Sequence, residues 1–208
     1  MANRGDKMKE ILIRGPLLTQ SGYGVHSRQI FRWALNQGFK INVQLLPWGH
    51  TPWYCNKADL DGLVGKIMDC SSPPTKKPAL SLQIQLPNEW DASLAEKNIG
   101  ITAGVESSFC NPKWIQSCKQ MDHIIVPSEF TKKVFVNSGL EENHITVVSE
   151  SYHKSCETAK PLKLDNITTP FNFLTIGQFT GNKENDRKNT FATIENFLTT
   201  FKDSKDVG

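Results

Sequence analysis

The chain has 208 residues and a mass of 23.4 kDa, room for one good domain or for one domain and part of another. Hydrophobic residues make up 38% and charged residues 22%, which excludes a disordered tail and a coiled coil. A formal net charge of +3, from 24 basic and 21 acidic residues, is too weak a bias to argue for nucleic acid, and no apolar run approaches the ~18 residues of a membrane span.

Residues 10–14 (EILIR) read as a short buried strand, ended by Gly15-Pro16. After a loop, residues 25–37 carry Ile30, Phe31, Trp33, Ala34 and Leu35 at helical spacing, and Gly38 stands where a helix C-terminal glycine belongs. Residues 41–46 (INVQLL) form a second strand closed by Pro47. An irregular aromatic stretch, 48–57, precedes a predicted helix over 58–68, and SSPPTKKP (71–78) is a turn or linker by composition. Residues 81–86 (SLQIQL) alternate and end at Pro87, and 99–102 form a further short strand. Asn111-Pro112 opens a helix to about residue 119, with Asn as N-cap and Pro at the first helical position. A strand over 122–126 (DHIIV) leads through Pro127 to a helix capped by Ser128, which runs through residue 137 and is stopped by Gly139. Residues 145–149 are one more strand.

Strands separated by helices, with near-continuous apolar strand runs, predict an α/β domain with a mostly parallel sheet flanked by helices. Its expected bounds are 9–152, followed by a polar linker over 153–170. A second βα unit, strand 171–178 and helix 190–201, is the expected opening of a second, incomplete Rossmann-like domain over 171–208, because one such unit cannot bury its own core. The five cysteines, Cys55, Cys70, Cys110, Cys118 and Cys156, include no CxxC pair. They predict reduced thiols in a cytoplasmic compartment, with neither a disulfide framework nor a zinc site.

The loop GPLLTQSGYG (15–24) carries the first functional signal. Gly22 and Gly24 at a helix start let the backbone approach a ligand, while free N–H groups and the helix dipole favour phosphate. The alternative is a tight turn and nothing more. A Walker loop is excluded because no lysine follows a second glycine at the required spacing. A dinucleotide fingerprint lacks its acid, since the second strand ends in Gln44-Leu45-Leu46-Pro47. Asn88, Glu89 and Trp90 follow a strand and so fall at the edge where ligands collect, as does Glu106; a solvated carboxylate in an N-cap region is an equal account of Glu89, and a hydrogen bond to a neighbouring loop is the plainer account of Glu106. His26 either reaches a phosphate or lies on the surface. Asp59-Leu60-Asp61 is read as solvated carboxylates and not as a metal motif, because positions i and i+2 of a helix point apart. Trp48, Trp53, Tyr54 and Trp90 could stack on a sugar or simply pack. Arg187 and Lys188 stand just before a helix, where cations are unfavourable unless an anion is near.

Four segments, SGYGVHSRQI, ITAGVESSFCNPKWIQSCKQMDHIIVPSEFTKKVF, ITVVSESYH and FNFLTIGQFTGNKENDRKN, together resemble the retaining, family-4-like glycosyltransferases of the GT-B fold, often described as glycosyltransferase group 1. The resemblance covers most of the chain after residue 10, apart from residues 48–79. It implies two Rossmann-like lobes, an N-terminal acceptor side and the start of a C-terminal donor side, and metal-independent transfer of a sugar from a nucleotide sugar to a sugar, lipid or protein acceptor. No separate cofactor is implied, and the 208-residue form is expected to be inactive. The resemblance puts Gly22 and Gly24 near the donor diphosphate and makes Arg187 and Lys188 candidates for the basic pair that holds it. Asn189 replaces the glycine that follows the family's lysine, and Gln178 stands where many members have arginine. Tyr23, Asn88, Glu89, Glu106 and Ser128 are the acceptor-side candidates, and no catalytic nucleophile is implied. The rival readings are a non-catalytic α/β binding module derived from a transferase lobe, and an epimerase or phosphorylase of the same fold.

Overall fold

The computed structural model describes residues 10–104, 107–162, 164–177, 182–186 and 188–208, and divides into two compact units, Met1–His153 and Lys154–Gly208. In the first unit, six strands alternate with helices: β1 (Glu10–Gly15), α1 (Gly22–Asn36), β2 (Lys40–Leu45), α2 (Leu63–Asp69), β3 (Leu80–Ile84), β4 (Lys97–Ile101), α3 (Pro112–Cys118), β5 (His123–Val126), α4 (Glu129–Asn137) and β6 (Ile145–Val147). A single 3-10 turn, Pro87–Glu89, follows β3. Every strand pair is parallel, in the order β2-β1-β3-β4-β5-β6. This is a Rossmann-like α/β fold, as the alternation of strand and helix patterns predicts.

Two clusters hold the sheet's helices in place. Ile11 and Ile13 of β1, Val43 of β2 and Ile84 of β3 pack with Phe31 and Ala34 of α1 and with Val64 and Ile67 of α2. Ile124, Val126 and Ile145 pack with Cys118 of α3 and with Val134 and Phe135 of α4. Burying a side chain the size of Phe31, which is fully enclosed, contributes about 1.5–3 kcal/mol.

The helix ends follow local chemistry. The Asn111 side chain accepts the Lys113 N–H and the Ser128 hydroxyl accepts the Thr131 N–H, so both predicted N-caps are present. Gly139 adopts φ +102 after α4, a conformation that glycine takes without the Cβ penalty. The predicted helix over 58–68 is corrected to α2, which begins only at Leu63. Leu60, Asp61 and Gly62 all have left-handed φ, and the Gly65 N–H turns back to the Lys57 carbonyl. Residue 65 is glycine because a Cβ there would stand 3.0 Å from that carbonyl oxygen.

The second unit contains a 3-10 turn, Lys154–Glu157, and α5 (Thr190–Thr200). The strand expected over 171–178 is reduced, among the described residues, to a single parallel bridge between Phe171 and Val207. Main-chain bonds from Phe171 to Asp206 and from Phe173 to Gly208 extend it slightly. Phe173 packs edge-on or tilted against Phe171, Phe197 and Phe201.

Candidate functional site at the carboxyl edge of the sheet

The strand order reverses between β1 and β3: the chain leaves β1 toward β2 on one side and later places β3 on the other. In open parallel sheets, ligands bind in the crevice outside the carboxyl ends of the strands at such a point. The segments that border it are the loop 16–21 with the start of α1, and the turn Pro87–Glu89.

The loop after β1 is closed upon itself. Thr19 donates both its N–H and its hydroxyl to the Pro16 carbonyl. Arg28, buried on α1, donates from Nη1 to the carbonyls of Leu17 and Thr19, each at 2.8 Å, and its guanidinium lies 5.2 Å from the centroid of the Tyr54 ring. Burial pulls its pKa below the usual arginine value. This clamp fixes the loop carbonyls inward. Nothing in the sequence distinguishes Arg28 from a surface arginine, because its partners are carbonyls and carry no side-chain signature.

The two glycines differ. The helix begins at Gly22, three residues earlier than its apolar spacing suggests, because Ser21 caps it by accepting the Gly24 N–H at 3.0 Å. Gly24 is glycine for packing: a Cβ there would lie 2.2 Å from the Thr19 carbonyl oxygen. Its N–H, moreover, is already taken by Ser21. Gly22 is exposed, and a Cβ there would meet nothing within 4 Å. The N–H groups of Gly22 and Tyr23 have no preceding turn of helix to bond.

Tyr23 crosses the edge. Its hydroxyl lies 2.9 Å from Thr102 Oγ1 and accepts the Ala103 N–H at 3.0 Å, just past β4, while its ring stacks on Trp48 at 4.0 Å. Burial pushes the Tyr23 hydroxyl pKa up. Asn88 and Glu89 are exposed on the turn after β3. The Glu89 carboxylate reaches back to the Leu86 N–H at 3.4 Å, and its carbonyl receives Arg14 Nη1 at 2.6 Å and the Gln85 amide. Ser128 is spent as the cap of α4, also 3.0 Å from Thr131 Oγ1. Glu106 lies outside the described residues.

Trp90 is committed to the fold. Its indole N–H donates to the Gln83 carbonyl, and its ring covers Gly100, where a Cβ would come within 2.6 Å of it. His26 is neither on the surface nor free: it is buried and its Nδ1 lies 2.9 Å from Glu150 Oε1. A cavity of about 750 Å³ between α1 and the segment 54–63 is bordered by Arg28, Arg32, Tyr54, Asp59 and Asp61. Asp59 and Asp61 stand in the left-handed turn before α2 and not on a helix, so the geometric reason for setting them aside as a metal motif does not hold. Among the described residues, no three His, Cys, Asp or Glu side chains gather as a metal site.

In the second unit, Lys188 is exposed and Arg187 lies outside the described residues. A carboxylate stands at this helix start: Asp186 Oδ2 accepts the Phe191 N–H at 2.7 Å in the first turn of α5.

No helix among the described residues is long and apolar enough to cross a membrane. Comparison with protein-family models finds none that matches the chain, and comparison with curated proteins finds no match.

Proposed function

We propose that the chain is part of a metal-independent retaining glycosyltransferase, with its first unit as the acceptor-side lobe, acting on a nucleotide sugar. The observation that carries this reading is the start of α1 at the β1/β3 reversal, where a Cβ on Gly22 would meet nothing within 4 Å and the first N–H groups have no intrahelical partner. Such donors, with the helix dipole behind them, stabilise the negative charge that grows on a diphosphate as the glycosidic bond to it breaks. The inward clamp of Arg28 on the Leu17 and Thr19 carbonyls supports the same role, because it turns the loop's acceptors away from an anion. Lys188 remains a diphosphate candidate within the second unit.

A second reading, a non-catalytic α/β binding module, is favoured by one observation. The Asp186 carboxylate already serves the N-terminus of α5, and a diphosphate there would meet like charge. Calorimetric titration of UDP, GDP and ADP into the chain tests both. The transferase reading expects one of the three to bind and the binding to be lost in Gly22→Ala. No binding of any nucleotide leaves the module reading in its place.

A further inference from the structure

Three residues past β6, the Glu150 carboxylate meets an imidazole from the second turn of α1. His26 has a side chain only 9% exposed, and its Nδ1 is 2.9 Å from Glu150 Oε1. The approach is held one turn further along the helix, where Gln29 pairs with the Ser151 main chain in both directions: its amide donates to the Ser151 carbonyl, and its Oε1 accepts the Ser151 N–H at 3.2 Å. A carboxylate accepts and does not donate, so Nδ1 carries a proton, and in the neutral form of the ring the lone pair is at Nε2. Nε2 has no hydrogen bond among the described residues. It is also not among the enclosed side-chain atoms that lack a partner, which are Arg14 Nε, Gln85 Oε1 and Asp186 Oδ1, so it is not fully enclosed.

We propose that the His26–Glu150 pair is a hydroxyl-binding dyad that receives a polyol, the sugar acceptor of the transferase reading on which this inference rests. His26 stands three residues from Tyr23 and four from Gly22, the spacing that puts side chains on one face of a helix. The dyad therefore borders the start of α1. The ligand class follows from the charges. The Glu150 side chain is 43% exposed and repels an anion, whereas neighbouring hydroxyls can donate one hydrogen bond to Nε2 and another to the carboxylate. Glu150 is a positioning residue for the imidazole as well as a second acceptor.

Imidazole nitrogen NMR on the 208-residue chain at neutral pH tests the dyad. The expected spectrum has His26 as the Nδ1–H tautomer, with an Nε2 signal that moves on addition of methyl glucoside, mannoside or galactoside and stays still with inorganic phosphate. In Glu150→Gln, an isosteric change on an exposed side chain, the tautomer population shifts and the apparent affinity for the responding glycoside falls about tenfold. An Nε2 signal that no glycoside moves, or that phosphate moves instead, overturns the dyad. The Gly22 and Tyr23 amide signals, titrated with UDP, GDP and ADP in the same sample, report on the transferase reading separately. Amides that respond while Nε2 does not keep the transferase and discard the dyad. Nε2 responding to a glycoside with silent amides keeps the dyad and discards the transferase, and silence at both discards both.

Discussion

The indole of Trp90 lies against the backbone of Gly100, so close that a Cβ on residue 100 would stand 2.6 Å from the ring. The ring cannot swing aside cheaply, because its N–H is fixed on the Gln83 carbonyl at 3.0 Å. Gly100→Ala is therefore expected to destabilise the first unit by about 1–3 kcal/mol, the range for overpacking a filled interior. Denaturant unfolding followed by tryptophan fluorescence measures it, and an unchanged midpoint would show that the ring is not held.

Gly22 and Gly24 separate packing from binding. Gly24→Ala drives a methyl group into the Thr19 carbonyl and is expected to lower the Tm by several degrees, since about 1 kcal/mol moves a domain of this size by about 2–4 °C. Gly22→Ala enters open space without left-handed strain and is expected to leave the Tm unchanged or slightly raised. Thermal unfolding of both variants, beside nucleotide titration of the second, tells whether Gly22 matters only to a ligand.

Tyr23→Phe removes the hydroxyl that joins α1 to Thr102 and to the Ala103 N–H. A buried bond of this kind contributes about 0.5–1.5 kcal/mol, and the orphaned N–H adds to the loss. The expected outcome is that order of destabilisation, with faster hydrogen exchange at Ala103 as the local signature.

Acid should weaken the fold through two carboxylates. A hydrogen bond from Lys97, and then one from the Asn98 N–H, hold Asp122 below the usual carboxylate range; the Ser93 hydroxyl and N–H do the same for Asp91. A depressed folded pKa means that the stabilisation is complete above the unfolded value and is lost as pH falls through the folded one. The Lys97 ammonium is shifted up by the same pair, so its share disappears only as pH rises through that raised value. Thermal midpoints recorded from neutral to acid pH are expected to fall less steeply for Asp122→Asn, which starts lower at neutral pH. Parallel curves would remove Asp122 from the account.

Thiol reactivity should divide the cysteines. Cys55 and Cys156 are exposed, while burial pushes the Cys118 thiol up to about 12 and Cys110 is enclosed beside it. Two thiols are expected to react quickly with an aromatic disulfide reagent at neutral pH, and Cys110 and Cys118 only on unfolding.

The alternation of strands and helices, the caps Asn111 and Ser128, and the stop at Gly139 were all legible in the sequence. Each depends on residues within a turn of one another, so local chemistry suffices. The start of α1 was legible only in part: the glycines marked the place, but Ser21 decided which N–H groups remain open. The tertiary structure alone decided the rest. Ser81 and Gln83 are the polar positions of an alternating strand, and Asn98 falls just before the strand read over 99–102. They are buried, with Ser81 in register with Asn98, and together they bind the main chain of Asp91, Ala92 and Ala95. Nothing in the sequence marks Arg28 or His26 as buried, yet Arg28 is enclosed by a loop and His26 meets Glu150, 124 residues away. A polar side chain carries no mark of whether water or a distant carbonyl will satisfy it, because that choice is made by which segments the packed sheet brings within hydrogen-bond reach.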